Sequence, residues 1–267
     1  MISDPLSAPT TLAGIAAILR AIAWPCVAVL FYLVYRSKLA TVFDILILKL
    51  RHAKHLKAGQ LEIDTEEAIH RVVEAAGERA GNGQLQREIP EEQVHAAQEV
   101  GKRLNAAPIA FSHKIDVVYK QIYELVDQYE STRQEMPSGP TRTRKMNEIA
   151  AKMRALSIAA YPLLPTLVAG EKPGERLAAI CIQQVRPELG FFDWLIERVM
   201  NEEQPFLFFQ AALAILKLVK AHPYLHPDIA TNSIQNCLGR LSNFKGGEPD
   251  RNTIEVLEEA LSTLKSR

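Results

Sequence analysis

Apolar residues run from Leu12 to Tyr35 (LAGIAAILRAIAWPCVAVLFYLVY), interrupted by a single charge at Arg20. As a helix these 24 residues reach about 36 Å, enough to cross a hydrocarbon core about 30 Å thick. The run is apolar on every face, so it lacks the single stripe of an ordinary core helix. Residues 1–11 hold no Lys or Arg, unlike the positive opening of a cleaved signal peptide. The pattern predicts a retained transmembrane helix over 12–35, with 1–11 as an extracytoplasmic tail.

The next stretch has a different pattern. Leu39, Val42, Phe43, Leu46 and Leu50 fall on one helical stripe, and basic residues gather after it. This predicts a basic amphipathic juxtamembrane helix over 36–57, with Lys49, Arg51, Lys54 and Lys57 at the membrane surface beside anionic headgroups. The same charges set the orientation, because Lys and Arg stay on the cytoplasmic side. The N-terminus is expected outside and residues 58–267 inside. His52 and His55 could pair on a metal, but a solvated basic helix end is the preferred reading.

Within the span, Gly14, Ala17, Ala21 and Ala28 share one face, which suits close helix approach or reflects only the frequency of Ala in such spans. Arg20 costs roughly 2.5–3.5 kcal/mol to insert. It is expected either at a pore or helix interface, or snorkelling to the outer headgroups.

Beyond residue 58, apolar positions recur at three- and four-residue spacing, broken by Pro and Gly. Helices are expected after Thr65 as cap, from Pro90 as first helical residue, and from Pro108 or Ser112 through Tyr129. A break at MPSGP (136–140) precedes TRTRKMNEIAAKMRAL, which Pro162 and Pro165 end or kink. Further helices are expected in ERLAAICIQQV, FFDWLIERVM, PFLFFQAALAILKLVKA, PDIATNSIQNCLGRL and RNTIEVLEEALSTLK. No run alternates with period two over a useful length, so no substantial sheet is expected. The fold class is all-α: one N-terminal transmembrane helix, the amphipathic helix, and a cytoplasmic α-hairpin stack like a short solenoid. MPSGP marks the expected boundary between a helical linker region, 58–135, and a C-terminal helical domain, 136–267.

Composition narrows the classes. With 48% hydrophobic residues in 267, the chain is too apolar to be disordered. Lys+Arg and Asp+Glu both number 31, which argues against a uniformly basic nucleic-acid surface but permits a local patch. Cys26, Cys181 and Cys237 are widely spaced and odd in number, so no disulfide framework is expected.

The sequence contains no P-loop, no HExxH and no GxSxG. No catalytic residue, cofactor or metal site is expected, and the protein reads as a non-enzyme. The notable cluster is basic: Arg142, Arg144, Lys145, Lys152 and Arg154 on one helix, with Arg176 opening the next. Lys145 and Lys152 share a face with Arg142 near it, while Arg144 and Arg154 lie off it. Clustered Arg can hold phosphate oxygens in a bidentate fork. A solvated face, or internal Arg–carboxylate pairs between helices, is the competing reading.

The runs EMPSGPTRTRKMNEIAAKMRAL, PGERLAAICIQQVRPE and FFDWLIERVMNEEQPFLFFQAALAIL resemble a helical domain of prokaryotic conflict-system proteins, over about residues 135–220. Joined to an N-terminal span, this is similar in outline to the Hailong-type effectors of anti-phage defence. That resemblance implies a homo-oligomeric ion channel of the bacterial inner membrane, with a tetramer favoured. It also implies gating by a nucleotide second messenger or single-stranded oligonucleotide, made by a partner nucleotidyltransferase. The alternative is a membrane-tethered helical scaffold that binds a protein partner.

Overall fold

A computed structural model of the chain describes residues 64–80, 88–107, 110–201, 204–243 and 250–266. The chain divides into two compact units, Met1–Gly59 and Gln60–Arg267. The first lies outside the described residues. With it lie the expected span 12–35, its residues Gly14, Ala17, Arg20, Ala21 and Ala28, the helix 36–57, and Lys49, Arg51, Lys54 and Lys57. Among the described residues no helix is long and apolar enough to cross a membrane.

Every regular element among the described residues is helical. Helix α1 covers residues 64–80. After it come α2 (Glu91–Ala106), α3 (Phe111–Glu135), α4 (Pro140–Ala160) and α5 (Leu164–Val168). The rest are α6 (Pro173–Val185), α7 (Phe192–Asn201), α8 (Pro205–Ala221), α9 (Pro227–Ser242) and α10 (Arg251–Lys265). Short 3-10 turns at Tyr161–Leu163 and Leu189–Phe191 lead into α5 and α7.

Proline sets most of these starts. Pro140, Pro173, Pro205 and Pro227 each open a helix, where the missing N–H has no intrahelical partner to lose. Pro90 differs from expectation: it sits one position before α2, in an extended conformation (φ −57°, ψ 136°). Thr65 is not a cap either, because the helix already includes Asp64. Helix α3 runs on past Tyr129 to Glu135, with Thr132 buried in its last turns.

Packing advances in steps of two. Helix α2 lies on α4, α4 on α6, α6 on α8 and α8 on α10. The odd helices cover that row: α3 on α4 and α6, α5 on α6, α7 on α8, and α9 on α7 and α10. Helix α8 shows why the row holds. Residues 206–216 are buried without interruption, so α8 needs neighbours on every side and finds them in α6, α7 and α10. Helix α4 buries Ala150, Ala151, Ala155, Ala159 and Ala160, small residues that let neighbours approach closely.

One apolar core runs from Ile69 on α1 to Leu264 on α10. The MPSGP turn, expected to separate a linker region from a domain, instead joins α3 and α4, which pack against each other. Both α2 and α3 share the core with the helices beyond the turn, and the compact unit begins at Gln60.

Candidate anion-binding site

Of the predicted basic cluster, Arg142, Arg144 and Lys145 remain together at the start of α4. Gly139 precedes it with φ 154°, a value that glycine tolerates and other residues rarely adopt. As the N-cap, Gly139 brings no side chain to the free N–H groups, and the first turn holds no acid. Arg142 donates to the Met136 carbonyl (3.2 Å) and to Ser138 Oγ (2.5 Å). Lys145 donates to both Glu148 oxygens, at 3.0 and 2.9 Å. Arg144 is exposed and has no partner among the described residues. Arg144 and Lys145 line a cleft of about 300 Å³ against the end of α3, which Glu135 and Glu148 also line.

Lys152 and Arg154 do not join them. Each is only 5% exposed, so neither contributes to a surface patch. Lys152 bridges Glu74 of α1 (2.6 Å) and Glu148 one turn earlier on α4 (3.1 Å). Burial alone would lower its pKa, but the bonds and charges of the two carboxylates outweigh burial and raise it. Glu148 mirrors this: burial pulls its carboxyl up, and Lys145 and Lys152 together hold it below the usual range. The internal-pair reading therefore describes Lys152. Arg176 turns back on its own loop, with Nη1 donating to the Glu171 carbonyl at 2.6 Å.

Arg154 has a different environment. Its Nε donates to Gln93 Oε1, and its Nη1 to Gln184 Oε1 (2.9 Å) and Gln210 Oε1 (3.1 Å). No carboxylate pairs it among the described residues. Burial pulls its pKa down, yet a guanidinium stays charged at any physiological pH. The adjacent Cys181 thiol is pushed up to about 11 by burial, with Arg154 opposing that shift only in part. Arg154 lines a cavity of about 150 Å³ bounded by α1, α2, α4 and α8.

The glutamines were not singled out in the sequence. Gln184 and Gln210 are amides inside apolar runs (AAICIQQV and FFQAALAIL), Gln93 lies in a polar stretch, and none points to a partner until the fold is known. Among the described residues no group of three or more His, Cys, Asp or Glu side chains is placed to hold a metal ion. No family model, curated protein or solved structure matches this chain.

Proposed function

We propose that the chain is an oligomeric, single-span membrane effector of the bacterial inner membrane. Its solenoid-like cytoplasmic stack receives a nucleotide or oligonucleotide and thereby gates an ion channel or pore in anti-phage defence. The observation that carries the ligand-binding half of this reading is the start of α4. Cations at a helix N-terminus oppose the helix dipole, which favours anions there by about 0.3–1 kcal/mol per charge. Here Arg142, Arg144 and Lys145 occupy that end with no acid in the first turn and no side-chain cap. A phosphate would relieve that repulsion and take hydrogen bonds from the free N–H groups.

The membrane half rests on the apolar run 12–35 and the basic residues after it. One span per chain cannot conduct alone, so the function requires a homo-oligomer, with a tetramer favoured. A polyanion bridging subunits would gain by multivalency and select one of two arrangements of the stack. A nucleotidyltransferase is the kind of partner that would supply such a ligand. Arg20 is the span residue with most to gain from a pore or helix interface, beside the small face of Gly14, Ala17, Ala21 and Ala28.

The test is the mass of the detergent-purified protein with absorbance at 260 and 280 nm on the same peak. A closed oligomer carrying excess 260 nm material, with ion leakage from liposomes once nuclease removes it, is the expected result. Arg144→Glu should lower the retained nucleic acid severalfold at low salt, and its difference from the wild type should narrow as salt rises. A monomer free of nucleotide sinks this reading. It would leave a membrane-tethered scaffold, which the exposed Tyr224 (93%) and Ile229 (58%) at the α8–α9 corner favour.

A further inference from the structure

We propose that the Arg154 cavity is a separate ligand site, built for one small oxyanion: an inorganic phosphate, or the phosphoryl or carboxylate group of a small metabolite. Enclosing a permanent charge without a counter-charge is strongly unfavourable, and folds normally pair it. The structure holds Arg154 in place with Gln93, Gln184 and Gln210, whose amide oxygens orient a guanidinium without cancelling its charge. The Gln184 amide is itself fixed, donating to the Gln210 carbonyl (2.7 Å) and to Gln210 Oε1 (3.0 Å). Lys152, two positions away, has two carboxylates; Arg154 has none among the described residues.

Donors remain for a ligand. Nη2 of Arg154 donates to no oxygen among the described residues. The Gln93 amide also lines the cavity. It accepts from Arg154, and its NH2 has no acceptor among the described residues. A guanidinium N–H and an amide NH2 over one cavity suit an oxygen that carries negative charge.

The mouth adds selectivity. Arg79 and Glu92 line it, both exposed and neither paired among the described residues. They offset each other, so attraction comes from Arg154 and favours a single negative charge. Glu88, the other carboxylate of the wall, is held by Lys220 (2.5 Å), which also binds Glu259 (2.7 Å). At about 150 Å³ the cavity has room for a phosphate or a short carboxylic acid, and none of its lining residues lines the cleft at the start of α4. This site is therefore distinct from the start of α4. Its occupant would touch α1, α2, α4 and α8 together.

The experiment is isothermal titration of the full-length protein in detergent with inorganic phosphate and, separately, acetate, each at constant ionic strength against chloride. Saturable binding of either anion by the wild type is expected. The preferred anion then identifies the phosphoryl or the carboxylate form. Arg154→Gln should weaken binding by more than about tenfold, the order expected for losing a charged hydrogen-bond partner. Because that variant removes a buried network, Ala80→Leu provides a second route: it narrows the cavity from its α1 wall, keeps Arg154, and should also abolish binding. Two outcomes overturn the proposal: neither anion binding the wild type, or either anion binding Ala80→Leu as tightly as the wild type. Phosphate affinity should not change after nuclease treatment, which separates this site from the oligonucleotide reading.

Discussion

Lys152 and Arg154 are two positions apart on α4 and equally buried, yet they differ in charge compensation. Lys152 is an internal ion pair, so removing one partner should cost more than removing the lysine. Glu148→Gln is expected to destabilise by about 1–3 kcal/mol, read from urea midpoints at neutral pH. Lys152→Met should cost less than about 1 kcal/mol, because Glu74 and Glu148 can both still reach water. The pH dependence has a fixed sign. Glu148 is held low, so its contribution is present above the unfolded carboxyl value of about 4.3 and is lost as pH falls through the folded one. Lys152 is held high, so its contribution is present below about 10.4 and is lost as pH rises through the folded value. Glu148→Gln should therefore flatten the acid limb of the stability profile. An unchanged acid limb would show that the pair does not act this way. The thiols give a second check. Cys181 and Cys237 are buried, and burial pushes both to about 11. In a Cys26→Ser background neither should react with a thiol reagent at neutral pH until the protein unfolds.

At the scale of elements, the helix starts were readable because proline and glycine act locally. The MPSGP break and the proline-opened helices stem from backbone sterics alone. Close approaches between helices were not readable, because they depend on which faces meet. A Cβ on Gly101 of α2 would lie 2.8 Å from Ile158 Cγ2 on α4. Gly101→Ala should thus push the two helices apart and cost about 1–3 kcal/mol. Shortening the opposing side chain with Ile158→Ala should recover part of that loss, and a double-mutant cycle measures it. Gly174 of α6 is tighter in a different way. A Cβ there would lie 2.9 Å from the Val126 carbonyl on α3, and the Gly174 N–H donates to Glu130 at 2.7 Å. Backbone cannot yield as a side chain can, so no shortening on α3 should rescue Gly174→Ala.

At the scale of the molecule, the even-numbered helices form one row and share a single core from Ile69 to Leu264. Residues 60–267 should therefore unfold as one cooperative unit, with calorimetric and van't Hoff enthalpies equal. A separate transition for residues 60–135, read by hydrogen exchange, would restore the boundary at MPSGP. A Pro/Gly break such as MPSGP reports only where the chain turns. A domain ends where burial ends, and α2 and α3 continue the same core.

The all-helical class, the turn positions and most helix starts were carried in the order of residues, since periodicity and backbone sterics act over a few positions. The basic cluster was likewise visible as a cluster. Its division was not. Three residues stay at the start of α4, Lys152 meets a carboxylate on α1, and Arg154 meets amides from α2, α6 and α8. Those partners stand 78, 61, 30 and 56 positions away in the chain. No local rule reaches that far. Packing alone decided which cation was neutralised and which kept its charge over a cavity.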